Sequence, residues 1–286
     1  MFDFRYHALS LVAVFLALVV GLLLGVAIGD QGLVSSAERD IRNSLRADVR
    51  DARAEADRLR GELNTEKQLE QQLYPLTVGG RLPGQRVGLV AIGGVDDSVV
   101  DDVRTALAPT GGRLVSVAVI RVPPDFEGLG SDLKDTRFAT VATDNELAGR
   151  LGRRLGVDLV RGGKVIRQVR RRLFRPLSGT LNGLSSVVLV RRDQEVGGAK
   201  GAASDAFEDG LVDGMKRTDV PLVGVEQTST DPSTIKWFED HQISSVDNVD
   251  QVTGRISMVF VLAGASGSFG VKSTADAPLP DAVPAQ

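Results

Sequence analysis

The sequence predicts an α/β protein. A single N-terminal transmembrane helix comes first, then a coiled-coil stalk, then an open, mostly parallel sheet with helices on both faces. Three observations predict it. Ala8 to Ile28 holds no charged side chain; about half of the residues from Glu38 to Glu70 are charged; and beyond Arg86, short apolar runs alternate with helical patterns.

The apolar run comes first. Roughly 20 residues at about 1.5 Å each span the hydrocarbon core of a bilayer. A cleaved signal peptide is the rival reading, since Ala27-Ile28-Gly29 offers a small-x-small site. However, the run is longer than a usual signal core and its leading segment is weakly basic. Ala13, Ala17, Gly21, Gly25 and Gly29 recur at every fourth position, which makes one face of small side chains suited to close helix packing. The alternative is that Gly and Ala are simply common in membrane helices. Arg5 precedes the helix and Arg39, Arg42 and Arg46 follow it, so local charge does not fix orientation. A short N-terminus with a long C-terminal domain leads us to expect that domain outside the cytoplasm.

The stalk follows. Ser35 to Leu73 contains no proline and one glycine, Gly61. Leu45, Val49, Ala52, Ala56, Leu59 and Leu63 follow a 4-3-4-3 spacing, the seam of a coiled coil, which leads us to expect a homodimer. A single solvent-bridging helix packed on its own domain is the alternative. Tyr74-Pro75 is expected to end the helix. The chain thus divides into an N-terminal segment and anchor (1–30), a stalk (31–74), a linker (75–85), a soluble α/β domain (86–272) and a disordered tail (273–286).

In the domain, Arg86–Ile92, Arg113–Ile120, Ser185–Val190, Pro221–Val225 and Ile243–Val246 read as strands. Continuous apolar runs with helices between them argue for a parallel sheet covered on both faces. Gly93-Gly94, between the first strand and a helix from about Asp96 to Leu107, stands where a dinucleotide fold binds phosphate. There is no GxGxxG, however, and Asp96 and Asp97 would repel an anion. The acids Asp96, Asp97, Asp101 and Asp102 read more simply as an N-cap and a favourable response to the helix dipole.

Composition excludes several functions. The chain has no cysteine, which removes disulfides and thiolate chemistry. Aromatic residues make up 5% and the net charge is −3, so nucleic acid is not an expected partner. No nucleophile elbow is present, and the two histidines, His7 and His241, lie far apart in sequence. We therefore expect no enzyme, no catalytic residue, no metal ligand and no cofactor-binding residue. Met215 and Met258 are isolated, and no copper-binding motif is recognisable. The densest charge feature is a basic amphipathic helix in which Arg167, Arg170, Arg171, Arg172 and Arg175 form a candidate surface for an anionic partner. An ordinary solvated face is the alternative.

The N-terminal block MFDFRYHALSLVAVFLALVVGLLLG, the charged stalk behind it, and the closing segments GASGSFG (264–270) and ADAPLP (275–280) resemble the actinobacterial MctB-type copper transporters across essentially the whole chain. The resemblance implies copper homeostasis in the envelope, with outer-membrane efflux in mycobacterial members. Copper enters by this resemblance alone, and no copper ligand carries over. It also implies a second role. Corynebacterial SteB proteins act with SteA in cytokinesis and in control of a peptidoglycan hydrolase, which makes a SteA-like membrane protein or such a hydrolase the expected partner.

Overall fold

The structure, a computed structural model, describes residues 4–29, 33–175, 178–194 and 196–281. It divides into two units, Met1–Gln68 and Leu69–Gln286.

In the first unit, α1 runs from Phe4 to Gly29. Its stretch Tyr6–Ala27 is long and apolar enough to cross a membrane. The large apolar side chains from Leu9 to Val26 are exposed, an arrangement that water penalises and hydrocarbon does not. The second helix, α2, is continuous from Leu33 to Val78. Local ion pairs lace its polar faces: Arg58 reaches both Glu55 and Glu62 at 2.6 Å. Exposed pairs of this kind add little, because water and salt screen them.

The helix does not stop at Tyr74-Pro75. Proline deletes the bond that would have reached the Gln71 carbonyl, but packing in the second unit holds the last turn. Tyr74 is buried and donates its hydroxyl to the Ala106 carbonyl at 2.7 Å, Val78 is wholly buried, and the Gly79 N–H reaches the Pro75 carbonyl at 2.9 Å. The expected linker is also packed. Leu82 is wholly buried, and its N–H donates to the Thr110 carbonyl at 3.0 Å.

The rest of the second unit alternates strand and helix. Its elements are β1 (Arg86–Ile92), α3 (Asp97–Leu107), β2 (Arg113–Ile120), α4 (Phe126–Asp132), α5 (Asn145–Arg161), α6 (Lys164–Leu173) and β3 (Ser178–Gly179). They continue with β4 (Ser186–Arg191), α7 (Gly198–Lys216), β5 (Leu222–Val225), α8 (Ile235–Asp240), β6 (Ser244–Val246), α9 (Val252–Leu262) and β7 (Ser268–Phe269). One sheet has the order β3-β2-β1-β4-β5-β6-β7, parallel throughout except where β3 joins β2. The five strands expected from the sequence are all present to within a residue. The two edge strands β3 and β7, two residues each, were too short to show a pattern.

Strand alternation sorts the core into two layers. Val90, Ile92, Ile120, Val187 and Leu189 face Leu151, Leu155, Phe207, Leu211 and Phe238 from α5, α7 and α8. Val87, Leu89, Val188, Val223 and Val246 face Val99 and Val103 of α3, Met258 and Val259 of α9, and the end of α2. Both faces are therefore covered, which is why the strands read as continuous apolar runs.

The expected disorder from residue 273 is corrected as far as Asp281. The edge strand β7 offers unpaired backbone groups, and the tail meets them. The Ser268 N–H donates to Asp276 Oδ2 at 3.0 Å, the Asp276 N–H to the Ser268 carbonyl at 2.8 Å, and the Gly270 N–H to the Ala277 carbonyl at 3.0 Å. Residues 282–286 lie outside the described residues.

Candidate functional site

Strand order reverses direction between β1 and β4, and ligands of open α/β sheets bind beyond the carboxyl ends of strands at such a point. A cleft of about 430 Å³ opens there, lined by the loops after β1, β4 and β5. The chain leaves β1 through Gly93, whose φ is 86° and where a Cβ would lie 3.0 Å from the Arg192 carbonyl oxygen. Asp96 stands at the N-cap of α3 as expected, but its side chain makes no capping bond. Its carboxylate is drawn across the cleft mouth to Arg192 Nη2, at 2.5 Å.

Arg191 and Glu226 are matched in the same way. Arg191 donates to Glu208 at 3.1 Å and to Asp193 at 3.0 Å, and its guanidinium lies 4.9 Å from the Trp237 ring centre. Burial pushes the Glu208 carboxyl above its ordinary range, and Arg191 draws it back. Glu226, at the end of β5, is almost wholly enclosed. It accepts from Ser233 Oγ at 2.7 Å, from the Thr234 N–H and hydroxyl at 2.7 and 2.9 Å, and from Lys272 Nζ at 2.6 Å. The cleft is a polar surface whose two arginines are each held by a carboxylate, and no histidine is among its described lining residues. Sequence reasoning passed over Glu226, Lys272, Arg191 and Arg192. The available signal was position, since Glu226 and Arg192 each follow a strand at its carboxyl end.

The acids of α3 serve separate structural contacts. Asp102 accepts from Arg255 at 2.7 Å and from Gln227 at 2.8 Å, whereas Asp101 pairs with Arg104 on its own helix. His241 bonds the Trp237 carbonyl at 2.8 Å and Asp209 at 2.9 Å.

Among the described residues, no group of three or more His, Cys, Asp or Glu is placed to hold a metal ion. Soft ligands are equally dispersed. Met215 and Met258 are wholly buried, and they sit in the two separate core layers. These residues do not fit a tight copper site.

The sequence-marked surfaces are placed as follows. Along α2, Leu45, Val49, Leu59 and Leu63 are 60%, 41%, 46% and 53% exposed, Ala52 is exposed and Ala56 half-buried. On α1, nothing approaches a Cβ at Gly21 or Gly25 within 4 Å. On α6, Ile166, Val169 and Leu173 are buried; Val165, expected on the inner stripe, is half-buried, so the stripe is centred one residue later. Arg167, Arg170, Arg171, Arg172 and Arg175 are exposed. Among the described residues, Arg172 alone of these five is committed to carboxylates, Asp132 at 2.9 Å and Asp125 at 3.2 Å.

No curated protein matches the chain. The family described as copper transport outer membrane protein, MctB, matches residues 1–127 and 169–280. The match takes in α1, α2, the first strands and the whole carboxyl half of the sheet, and so most of the chain. The chain therefore belongs to the MctB family, and at family level it is a copper-transport-related protein of the cell envelope.

Proposed function

We propose that the chain is a membrane-anchored, non-enzymatic scaffold that contributes to copper homeostasis through the assemblies it forms, rather than by holding copper in its α/β unit. The observation that carries this reading is the exposed apolar seam of α2, from Leu45 to Leu63. A helix this polar gains little from its own local pairs, and a second copy of the seam supplies the missing burial. The open small-residue face of α1 around Gly21 and Gly25 supports the same parallel pairing. The scattered methionines and histidines argue against a copper carrier. The α/β unit is expected on the outer side of the membrane.

A deletion strain tests the reading. It should grow poorly in excess copper and recover with the wild-type chain, but not with a Leu59→Asp, Leu63→Asp variant. Growth indifferent to copper would remove the copper role. Calorimetry of the purified chain with Cu(I) and Cu(II) supplies the second measurement, and submicromolar stoichiometric binding would replace the scaffold by a carrier.

The same seam favours a second reading, in which the scaffold regulates a peptidoglycan hydrolase during cytokinesis with a SteA-like membrane partner. That reading predicts chained, unseparated cells in the deletion strain at ordinary copper levels.

A further inference from the structure

The basic helix α6 does more than present charge to solvent. Together with the turn after β3 it walls a cleft of about 310 Å³, lined by Arg167, Arg170, Ile166, Phe174, Thr180 and Asn182 with three glycines and Leu181. This volume falls at the small end of ligand sites, which run about 300–1,000 Å³. It is enough for a compact anionic group and a short organic portion.

The charge of this cleft differs from that of the cleft at the strand ends. There, each arginine is already held by a carboxylate. Here no carboxylate lines the walls, and neither the Arg167 nor the Arg170 guanidinium has a hydrogen-bonding or ion-pair partner among the described residues. The two arginines are three apart on one helix, so their like charges face each other at a small cost to the helix. The helix dipole offsets this for Arg170, in the last turn, but not for Arg167 in mid-helix. Asp158 does not offset it either. It is almost wholly buried, caps the amino end of α6 through the Val165 and Ile166 N–H groups at 3.2 and 3.4 Å, and pairs with Arg154 at 3.1 Å. Arg172 shows the contrast, because there the fold supplies two carboxylates to one guanidinium.

The floor supplies the other half of a site. Ile166 and Phe174 are buried beneath the arginines. The exposed side chains of Thr180 and Asn182 stand on the opposite wall, and they have no side-chain hydrogen bond among the described residues. Two planar guanidinium forks, two neutral polar groups and an apolar base form an arrangement that recognises a phosphate carried on a small apolar body.

We propose that the cleft between α6 and the Gly179–Asn182 turn binds a phosphate monoester, with Arg167 and Arg170 on its oxygens and Ile166 and Phe174 against its organic part. This assignment is independent of the copper reading. Its ligand is either the headgroup of an anionic lipid or a soluble phosphate compound.

The test uses the full chain in an uncharged detergent, titrated calorimetrically with dihexanoylphosphatidic acid, inorganic phosphate and dihexanoylphosphatidylcholine. One equivalent of the phosphatidic acid should bind, and the phosphatidylcholine should not. Arg167→Gln with Arg170→Gln should weaken binding about tenfold or more, the scale of a lost charge-assisted hydrogen bond. Arg171→Gln, outside the cleft, should leave affinity unchanged. Inorganic phosphate binding as tightly as the lipid supports the site and assigns a soluble ligand; much weaker phosphate binding supports the site and assigns a headgroup. Absence of binding by both phosphate probes overturns the proposal. So does an equal loss in the Arg171→Gln variant, which reduces the cleft to a diffuse basic face.

Discussion

Lys272 reaches Glu226 across 46 residues of sequence, with Nζ 2.6 Å from Oε1, and the carboxylate is almost completely enclosed. The same ammonium donates to the Thr230 carbonyl at 2.8 Å. Glu226 in turn binds Ser233 and Thr234, so one carboxylate ties the loop after β5 to the segment after β7. Asp247, at the end of β6, adds to this by accepting from the Val271 and Lys272 N–H groups at 2.8 Å each. A buried ion pair of this kind is poor in net stabilisation but costly to break on one side.

Glu226→Ala should therefore destabilise the chain by about 3 kcal/mol or more, since it strands the ammonium and three donors together. Thermal unfolding in detergent measures this. Limited proteolysis should show earlier cutting between Val271 and Asp281 in the variant. An unchanged melting temperature with unchanged cutting would mean that the pair does not hold the segment.

Tyr74 gives a pH-dependent prediction. Its hydroxyl satisfies the Ala106 carbonyl in the last turn of α3, where carbonyls lack helical partners. Burial pushes the phenol well above its ordinary range, and the positive charge of Arg255 opposes this only in part. The unfolded chain releases the proton near pH 10.0, whereas the folded chain retains it. Above that pH the unfolded state binds fewer protons, so stability is flat with respect to this group below about pH 10 and falls as pH rises beyond it. Tyr74→Phe should cost about 1 kcal/mol at neutral pH and should remove that part of the alkaline fall. Denaturant titrations at pH 8 and 11 compare the two. Parallel alkaline losses in both chains would assign the effect to other groups.

Helices α5 and α7 meet with backbone against backbone. A Cβ on Gly152 would stand 2.2 Å from the Phe207 carbonyl oxygen, one on Gly156 2.1 Å from that of Leu211, and one on Gly214 2.1 Å from that of Arg153. Gly156→Ala must push the helices apart, at a cost of about 1–3 kcal/mol. Gly61→Ala on α2, where nothing lies within 4 Å, should be neutral or gain the usual helix propensity, about 1 kcal/mol at most. Denaturation midpoints of the two variants should move in opposite directions or differ clearly, and equal shifts would contradict the close contact.

These contrasts also mark what the sequence could disclose. The fold class was legible because strands buried on both faces, such as Val87 to Ile92, need apolar residues at every position. The anchor was legible because Ala8 to Ile28 lacks charge. The end of α2 was not, since the local rule that proline stops a helix was overridden by burial of Tyr74 and Val78 elsewhere in the fold. The order of the tail was hidden for a similar reason, because Asp276 and Ala277 are held by β7, a strand of two residues. The basic helix was plain as a pattern. Its conversion into a cleft depends on a turn that sequence periodicity does not register.

The last prediction concerns pairing of α2. The chain has no cysteine, so a single introduced one is an unambiguous reporter. In a parallel, in-register pair, equivalent seam residues face each other across the contact, whereas flanking positions point away. Leu59 lies on the seam at 46% exposure, and its neighbour Arg60 is on the polar flank, paired with Asp57 at 2.9 Å. A disulfide needs Cα atoms about 4.4–6.8 Å apart, which only seam positions offer. Leu59→Cys should thus form an oxidised dimer in membranes rapidly, and Arg60→Cys slowly. Adding Leu63→Asp to the Leu59→Cys chain places a carboxylate in the seam one step further on. Two such charges would face each other in the dimer, so crosslinking should fall several-fold. Non-reducing gels over a short oxidation course read all three chains. Equal rates at Leu59→Cys and Arg60→Cys would show collision without a seam. A rate unaffected by Leu63→Asp would show that the Leu45–Leu63 face is not the one that pairs.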